Sequence, residues 1–206
     1  MPTLAEEKKI RARIQRYERN LKKRNYRDGS GLRFLVGPLY LVLDDTEGAL
    51  AHYKWFARKF PDDGGEPFHR LGWVLAMLRA QKPVQAAERL KLAHMANTYI
   101  IPAILDIPHG QPEVRRWSNW QDEEYIRQAP QEFLAMWRLE EKVWLKSVWE
   151  NPDFRDFVQT HMELMCKLDR ERRGPGRKAL VEALSALCEN GKSKGAAKAS
   201  KSETVH

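Results

Sequence analysis

The sequence has few cysteines and no long uncharged apolar segment. Cys166 and Cys188 are its two cysteines and lie far apart, which excludes a disulfide framework and a Cys-x-x-Cys metal site. The longest nearly uncharged apolar run, residues 34–43, has about half the length that a membrane-crossing helix needs. The charged N-terminus shows no apolar signal segment. These features predict a cytoplasmic protein with no membrane span and with reduced cysteines.

The sequence also lacks a recognisable catalytic motif. None of the scattered histidines lies in a His-Glu-x-x-His pattern, and Gly174-Pro175-Gly176 lacks the Lys-Ser/Thr of a phosphate-binding loop. Neighbouring carboxylates such as Asp62-Asp63 are explained by a turn. We therefore predict that the protein is not an enzyme and has no cofactor or metal site. The histidines considered are His52, His69, His94, His109 and His161.

The positive charge is concentrated at the two ends of the chain. The formal net charge is +8 over 206 residues, and 42% of the residues are hydrophobic, which is enough for a folded body. Residues 1–27 contain ten Lys or Arg and three Glu, and residues 190–206 contain four Lys and one Glu. The remaining residues are almost electrically neutral. A polyanion would therefore be attracted to the ends of the chain and not to its body.

Hydrophobic spacing, capping residues and prolines predict an all-α protein. The sequence divides into a basic amphipathic N-terminal helix (1–27), two helical hairpins (28–105), a Trp-rich C-terminal helical region (106–189) and a disordered Lys-rich tail (190–206). The predicted helices span residues 6–24, 32–43, 46–60, 67–80, 83–96, 121–128, 130–149, 152–172 and 177–188.

The two hairpins repeat a pattern of small and aromatic residues. Gly37 and Gly72 lie 35 residues apart, close to a period of about 34. In the first unit the pattern is formed by Val36, Gly37, Tyr40, Ala49, Tyr53, Phe56 and Pro61. In the second it is formed by Phe68, Leu71, Gly72, Leu75, Ala86, Leu90 and Ala93, with two extra residues between the halves. This pattern resembles the tetratricopeptide repeat, in which small residues allow paired helices to cross closely.

A second segment resembles a narrower family. Residues 25–34 are similar to the Asn-Pro-Arg-Asp-x-x-Gly-x-Arg-Tyr segment that precedes the first repeat in small bacterial tetratricopeptide-like proteins. Tyr26 replaces the proline of that segment, and the Cys-rich module that some relatives carry is missing. The resemblance covers roughly residues 20–105. It implies a helical-repeat fold for these residues, but it hardly indicates a function. Hydrophobic spacing adds a basic capping helix before the repeats and a helical extension after them.

Helical repeats bind peptides or helices on the concave surface that their first helices form. The repeat resemblance directs a set of side chains to that surface, and it predicts a non-catalytic protein-protein interaction module, such as an adaptor or a regulatory subunit. The partner is another protein or a peptide, and the oligomeric state is not indicated. The predicted concave residues are Phe34, Leu41, Glu66, His69, Arg70, Trp73 and Met77. Tetratricopeptide proteins that bind the C-terminal carboxylate of chaperones have Lys and Asn at several of these positions. This sequence does not, which disfavours a receptor for chaperone tails. Alternatively, a neighbouring helix fills the concave surface and makes Trp73 and Met77 part of the core.

The basic N-terminal helix, together with the Lys-rich tail, predicts a second function, nucleic-acid binding. It would attract phosphate groups, and any nucleic-acid binding would be indifferent to sequence because no recognition motif accompanies the charge. Alternatively, the helix docks its apolar stripe of Ile10, Ile14, Tyr17 and Leu21 on the first hairpin and exposes its charges to solvent. The predicted polyanion-binding residues are Lys8, Lys9, Arg11, Arg13, Arg16, Arg19, Lys22, Lys23 and Arg24.

Two further groups of residues have a structural and a functional interpretation. Arg27 and Asp28 form either a binding corner or a helix cap at Leu32 with a charge pair across the turn, and we favour the cap. Trp137 and Trp144 lie seven residues apart on one helical face, which favours core packing over an exposed recognition surface.

Overall fold

The computed structural model describes residues 2–23, 27–110, 114 and 118–199, and every regular element among them is helical. A short 3-10 turn at Asn119–Gln121 precedes α7. The α-helices are α1 (Leu4–Leu21), α2 (Leu32–Val42), α3 (Thr46–Lys59), α4 (Pro67–Arg79), α5 (Pro83–Ala96), α6 (Ile100–Leu105), α7 (Glu123–Arg127), α8 (Gln131–Ala135), α9 (Leu139–Glu150), α10 (Pro152–Arg170) and α11 (Pro175–Ala199).

The helices with local start and stop signals agree best with the sequence prediction. Helices α2 to α5 match their predicted ranges within one residue, because an N-cap or a first-turn proline sets each start. Helix α6 was not predicted, and the single helix predicted over 130–149 is divided into α8 and α9. The disordered tail was predicted from residue 190, yet α11 continues to Ala199, whereas residues 200–206 lie outside the described part. Alanine and lysine favour helix strongly enough to extend it past the glycines.

Asp28 caps the start of α2. Its carboxylate accepts hydrogen bonds from the backbone N–H groups of Leu32 and Arg33, at 2.8 and 2.9 Å. The Arg33 guanidinium pairs with Asp28 at 2.9 Å and with Asp63 at 2.8 Å. These contacts confirm the structural interpretation of Asp28, although the described pair across the turn involves Arg33 and not Arg27.

The two helix pairs, α2 with α3 and α4 with α5, meet around Tyr53. Its side chain is fully buried and touches both Gly37 and Gly72. A Cβ atom added to Gly37 would lie 2.5 Å from the Tyr53 ring, and one added to Gly72 would collide with the Tyr53 hydroxyl. Ala49 and Ala86 are completely buried. The repeated small residues therefore allow the helices to approach one large aromatic ring.

Helix α1 docks on α2 through its apolar stripe, as the docking interpretation predicts. Ile10 and Ile14 are buried, and Tyr17 and Leu21 pack against the same core. The Tyr40 hydroxyl of α2 donates a 2.9 Å hydrogen bond to the Glu18 carboxylate of α1. Burial and this acceptor raise the pKa of Tyr40 to about 12, which keeps the hydroxyl a donor.

The segment from the 3-10 turn to α8 covers the first helices of both pairs. The ring of Trp120 meets Phe34 of α2 edge-on at a centroid distance of 5.7 Å. The rings of Tyr125 and Phe133 lie 5.8 and 6.0 Å from Phe68 of α4. Phe34, which is one of the predicted concave residues, and Phe68 therefore pack against the chain's own C-terminal half.

Arg79, at the end of α4, joins this covering segment to the helix pairs. Its Nε and Nη2 atoms donate to the two Glu141 carboxylate oxygens at 2.7 and 3.3 Å. Nη1 donates to the Leu41 carbonyl at 3.0 Å, and Nη2 also donates to the Met136 carbonyl at 2.8 Å. Both ionised side chains are only 6% exposed. The backbone N–H of Arg138 donates to the same Glu141 carboxylate at 2.8 Å, so this contact also marks where α9 begins.

The substitution Glu141→Gln should lower the free energy of unfolding by up to about 3 kcal/mol, because the buried Arg79 guanidinium loses its buried counterion and keeps only the exposed Asp44 carboxylate, 3.4 Å away. As a control, Arg127→Gln removes an exposed ion pair with Glu123 and should change the free energy of unfolding by less than about 0.5 kcal/mol. Urea denaturation followed by circular dichroism measures both values. Equal effects would contradict the assigned role of Glu141.

Two buried histidines join α5 to α10. His94 and His161 are 0% and 4% exposed, and their ring centroids lie 5.3 Å apart among aromatic side chains. Both nitrogens of His94 and Nδ1 of His161 lack a hydrogen-bond partner in the described part of the chain. Burial lowers the pKa of His161 to about 4 and that of His94 well below its usual value. Both rings are therefore neutral at pH 7.

The free energy of unfolding should decrease as the pH falls from 6.5 toward 4, in part because of these two histidines. The unfolded chain accepts protons on these histidines in this range and the folded chain does not, at up to about 1.4 kcal/mol per pH unit for each group. Because other buried groups titrate in the same range, the comparison is between the parent and His161→Phe. Urea denaturation at several pH values should show a shallower decline for the variant, and parallel profiles would refute the prediction.

Candidate binding groove

The predicted concave residues do not form one accessible surface. Phe34, Leu41, Glu66 and His69 are buried, whereas Arg70, Trp73 and Met77 are partly exposed. The His69 ring lies 4.3 Å from Phe56 and 4.9 Å from Tyr53, between the helix pairs. Trp120 covers Phe34, but Trp73 and Met77 stay partly exposed and do not become core as the alternative interpretation expects. A cavity of about 510 Å³ remains beside Phe34 and Glu66.

Glu66 has a structural position at the start of α4. Its carboxylate accepts hydrogen bonds from the backbone N–H groups of Phe68 and His69, both at 2.9 Å. Burial raises the pKa of Glu66 to about 7 despite these donors. Its oxygens are thus occupied by the helix cap and do not point to a partner.

Arg70 and Trp73 instead open into a cavity between the second helices of the two pairs. The cavity has a volume of about 450 Å³, and we call it the α3–α5 groove. Its walls come from α3, α4, α5 and the loop that follows α3. The lining residues are Phe56, Ala57, Phe60, Pro61, Asp62, Asp63, Gly64, Arg70, Trp73, Arg89 and Leu92.

Trp73 forms a rigid aromatic platform in this groove. Its indole stacks on Tyr53 with a centroid distance of 5.1 Å and an interplanar angle of 10°. The guanidinium carbon of Arg89 lies 3.4 Å from the centroid of the Trp73 ring. A cation over an indole at this distance is electrostatically favourable, and it fixes the plane of the guanidinium.

Arg89 is unusual because nothing in the described part of the chain neutralises it. Within those residues, it has neither an ion pair nor a hydrogen bond, whereas Arg79 uses its donors on a carboxylate and two carbonyls. Burial lowers the pKa of Arg89 to about 10, so the side chain remains charged at neutral pH. A cation that is partly withdrawn from water and unpaired is costly for the fold.

Arg70 holds a second guanidinium at the same groove. Its Nε and Nη1 atoms donate to the carbonyls of Gly65 and Leu92, at 3.0 and 2.9 Å. Nη2 lies against Gly64, where a Cβ atom would collide with it. In the described chain no carboxylate lies within ion-pair distance of Arg70. Burial lowers the pKa of this side chain too, although it stays protonated at pH 7.

The basic residues of α1 lie on the outside of the molecule. Arg11 pairs with Glu7, Arg13 reaches Glu132 at 3.5 Å, and the Arg16 guanidinium lies 5.3 Å from the Tyr17 ring. Five others are exposed and form no ion pair within the described residues. These are Lys8, Lys9, Arg19, Lys22 and Lys23. Arg24 lies outside the described residues.

Comparisons with known proteins do not add a relative. No family model, no curated protein and no solved structure matches the chain. The tetratricopeptide resemblance therefore stays a prediction that rests on sequence spacing.

In the residues described, no group of three His, Cys, Asp or Glu side chains could hold a metal ion, and none of the helices combines the length and hydrophobicity needed to cross a bilayer.

Arg70 and Trp73 are among the residues that the sequence predicts to bind a partner, and both line the α3–α5 groove. Arg89 is not among the predicted residues. The pattern around Arg89 shows only a charged residue beside Glu88 on a helix with buried Ala86 and Leu90. Its significance depends on Trp73 and Tyr53, which come from two other helices.

Proposed function

We propose that this protein is a non-catalytic protein-binding module, an adaptor or regulatory subunit, that binds its partner in the α3–α5 groove. The observation that carries the proposal is the open cavity in which Arg89 stacks on Trp73 beside Arg70. The tetratricopeptide resemblance supports it, because helix pairs of that kind bind other proteins. The binding surface differs from the concave face that the resemblance implies.

The composition of the groove is typical of a binding hot spot. Trp and Arg are enriched among the residues that contribute most to protein interfaces, particularly in pockets that exclude water. Phe56, Phe60 and Leu92 supply apolar walls around Trp73. The lining contains no histidine, cysteine or serine that could act as a nucleophile or neutral base. This chemistry supports binding over catalysis.

The alternative function is sequence-indifferent nucleic-acid binding through the basic N-terminal helix α1 and the Lys-rich tail. The observation in its favour is the exposed basic surface of Lys8, Lys9, Arg19, Lys22 and Lys23, which form no ion pair with other described residues. Such a surface attracts phosphates over a Debye length of about 8 to 10 Å. Helix α1 also has a structural role on α2, and this role explains its apolar stripe but does not require its charge.

The substitution Trp73→Ala should abolish capture of a defined protein partner by the tagged chain from nuclease-treated lysate. The reason is that the platform for Arg89 and the floor of the groove are both lost. Trp144→Ala replaces another partly buried tryptophan, on α9, and should keep the partner. Mass spectrometry identifies the bound proteins, and thermal unfolding verifies that both variants fold.

The groove proposal fails if the partner remains bound to a folded Trp73→Ala variant. It also fails if Trp144→Ala causes the same loss, because the effect would then not be specific to the groove.

A charge-reversed variant tests the alternative function. Replacing Lys8, Lys9, Lys22 and Lys23 with Glu should abolish any salt-sensitive retardation of RNA or DNA in a gel at low ionic strength. A control variant carries the same charge change at exposed positions elsewhere, through Glu at Lys146, Arg172, Arg173 and Lys178. Equal loss in both variants, or no retardation by the parent chain, would rule out a nucleic-acid site on α1.

A further inference from the structure

The α3–α5 groove contains two positive groups with no negative partner of their own. In the described chain, Arg33 and Arg79 pair with carboxylates, but Arg70 and Arg89 do not. Of the two carboxylates at the rim, Asp63 favours the Arg70 charge electrostatically, but neither forms an ion pair with Arg70 or Arg89. Asp63 pairs with Arg33 and accepts a hydrogen bond from the backbone N–H of Gly65, at 2.8 and 2.9 Å, and Asp62 is exposed. The groove is therefore complementary to an anion.

We infer that the α3–α5 groove receives a carboxylate group of a protein partner, held by Arg89 and Arg70 beside the Trp73 platform. The inference rests on the proposed function, because it names the chemical group that the protein-binding groove recognises. The carboxylate belongs either to an acidic side chain or to the C-terminus of the partner. Both sources present the same two oxygens to the guanidinium groups.

The orientation of the two guanidiniums suits this ligand. Because Arg89 lies with its guanidinium carbon 3.4 Å from the Trp73 centroid, its N–H groups are not used on the ring and remain available to an acceptor at the edge. The hydrogen bonds from Arg70 to the Gly65 and Leu92 carbonyls fix the plane of its guanidinium group. They leave Nη2 without a hydrogen-bond partner in the described chain. Both side chains are thus ordered before a ligand arrives, which reduces the entropy lost on binding.

The surroundings favour a carboxylate over a phosphate. Asp62 and Asp63 stand at the rim and repel anions, and the repulsion is greater for a phosphate of about −1.5 to −2 charges than for a carboxylate. The apolar side chains of Phe56, Phe60 and Leu92 match the carbon atoms that accompany a carboxylate in a peptide. A nucleic-acid backbone offers no such apolar surface next to its charge.

Nuclear magnetic resonance of the full chain, labelled with ¹⁵N in its Trp and Arg side chains, tests the inference. The probes are N-acetylglycine for a C-terminal carboxylate, N-acetylaspartate α-amide for an acidic side chain, N-acetylglycinamide as the neutral control, and inorganic phosphate. Chloride keeps the ionic strength constant. At least one carboxylate probe should shift the Trp73 indole and Arg89 Nε–H signals saturably, in a concentration range on the order of millimolar. The neutral amide should not.

Two variants assign the effect to the groove. Arg89→Gln should weaken the carboxylate-dependent shift of the Trp73 signal at least tenfold, whereas Arg127→Gln, at an exposed arginine of α7, should leave it unchanged. If Arg89→Gln does not fold, Arg70→Gln takes its place. The inference is overturned if neither carboxylate saturates, if the neutral amide binds equally, if phosphate binds more tightly than both carboxylates, or if a folded variant binds like the parent.

The outcome is separable from that of the protein-binding proposal. If Trp73→Ala loses a protein partner but no carboxylate binds, the groove binds proteins through other contacts and the carboxylate inference alone is wrong. If carboxylates bind in the groove but no protein partner depends on Trp73, the groove is an anion site and the protein-binding proposal is wrong.

Discussion

The buried ion pair between Arg79 and Glu141 connects the two halves of this chain. The guanidinium binds a carboxylate from α9 and carbonyls from the ends of α2 and of the α8 segment, so one side chain connects three parts of the molecule. An ion pair withdrawn from water stabilises a structure only when its remaining donors are satisfied. Here the two carbonyls satisfy them. The Trp120, Tyr125 and Phe133 contacts hold the same half of the chain against Phe34 of α2 and Phe68 of α4.

The α3–α5 groove lies on a part of α4 that the segment from the 3-10 turn to α8 does not cover. Arg70 and Trp73 reach the α3–α5 groove because Gly37 and Gly72 let the helix pairs pack closely around Tyr53, which then supports the indole. Arg89 completes the groove from α5. Arg79 and Arg89 illustrate the same electrostatic rule with different outcomes, since the fold pairs the first with a buried carboxylate and leaves the second without an ion pair in the described chain.

The parts of the fold that depend on neighbouring residues were predictable, and the parts that depend on distant contacts were not. Asp28, Asp45, Pro67 and Pro83 set the helix starts of both pairs through local bonds and fixed dihedral angles. The division between α8 and α9 depends on Glu141, whose partner Arg79 lies 62 residues earlier. The sequence pattern identified Arg70 and Trp73 as residues of interest, but the side on which they are accessible depends on where the C-terminal half packs. The position of Arg89 over Trp73 depends on the packing of α3, α4 and α5, which the sequence around Arg89 does not show.

The central claim is that a protein partner occupies the α3–α5 groove while the first helices stay covered by the chain itself. Hydrogen–deuterium exchange of the full chain, with and without its captured partner, tests this most directly. The account predicts slower exchange on binding in residues 56–64 and 89–92, and unchanged exchange in residues 32–42 and 119–135. Faster exchange in 119–135 together with protection in 32–42 would contradict it, because the partner would then have displaced the covering segment and bound the concave face.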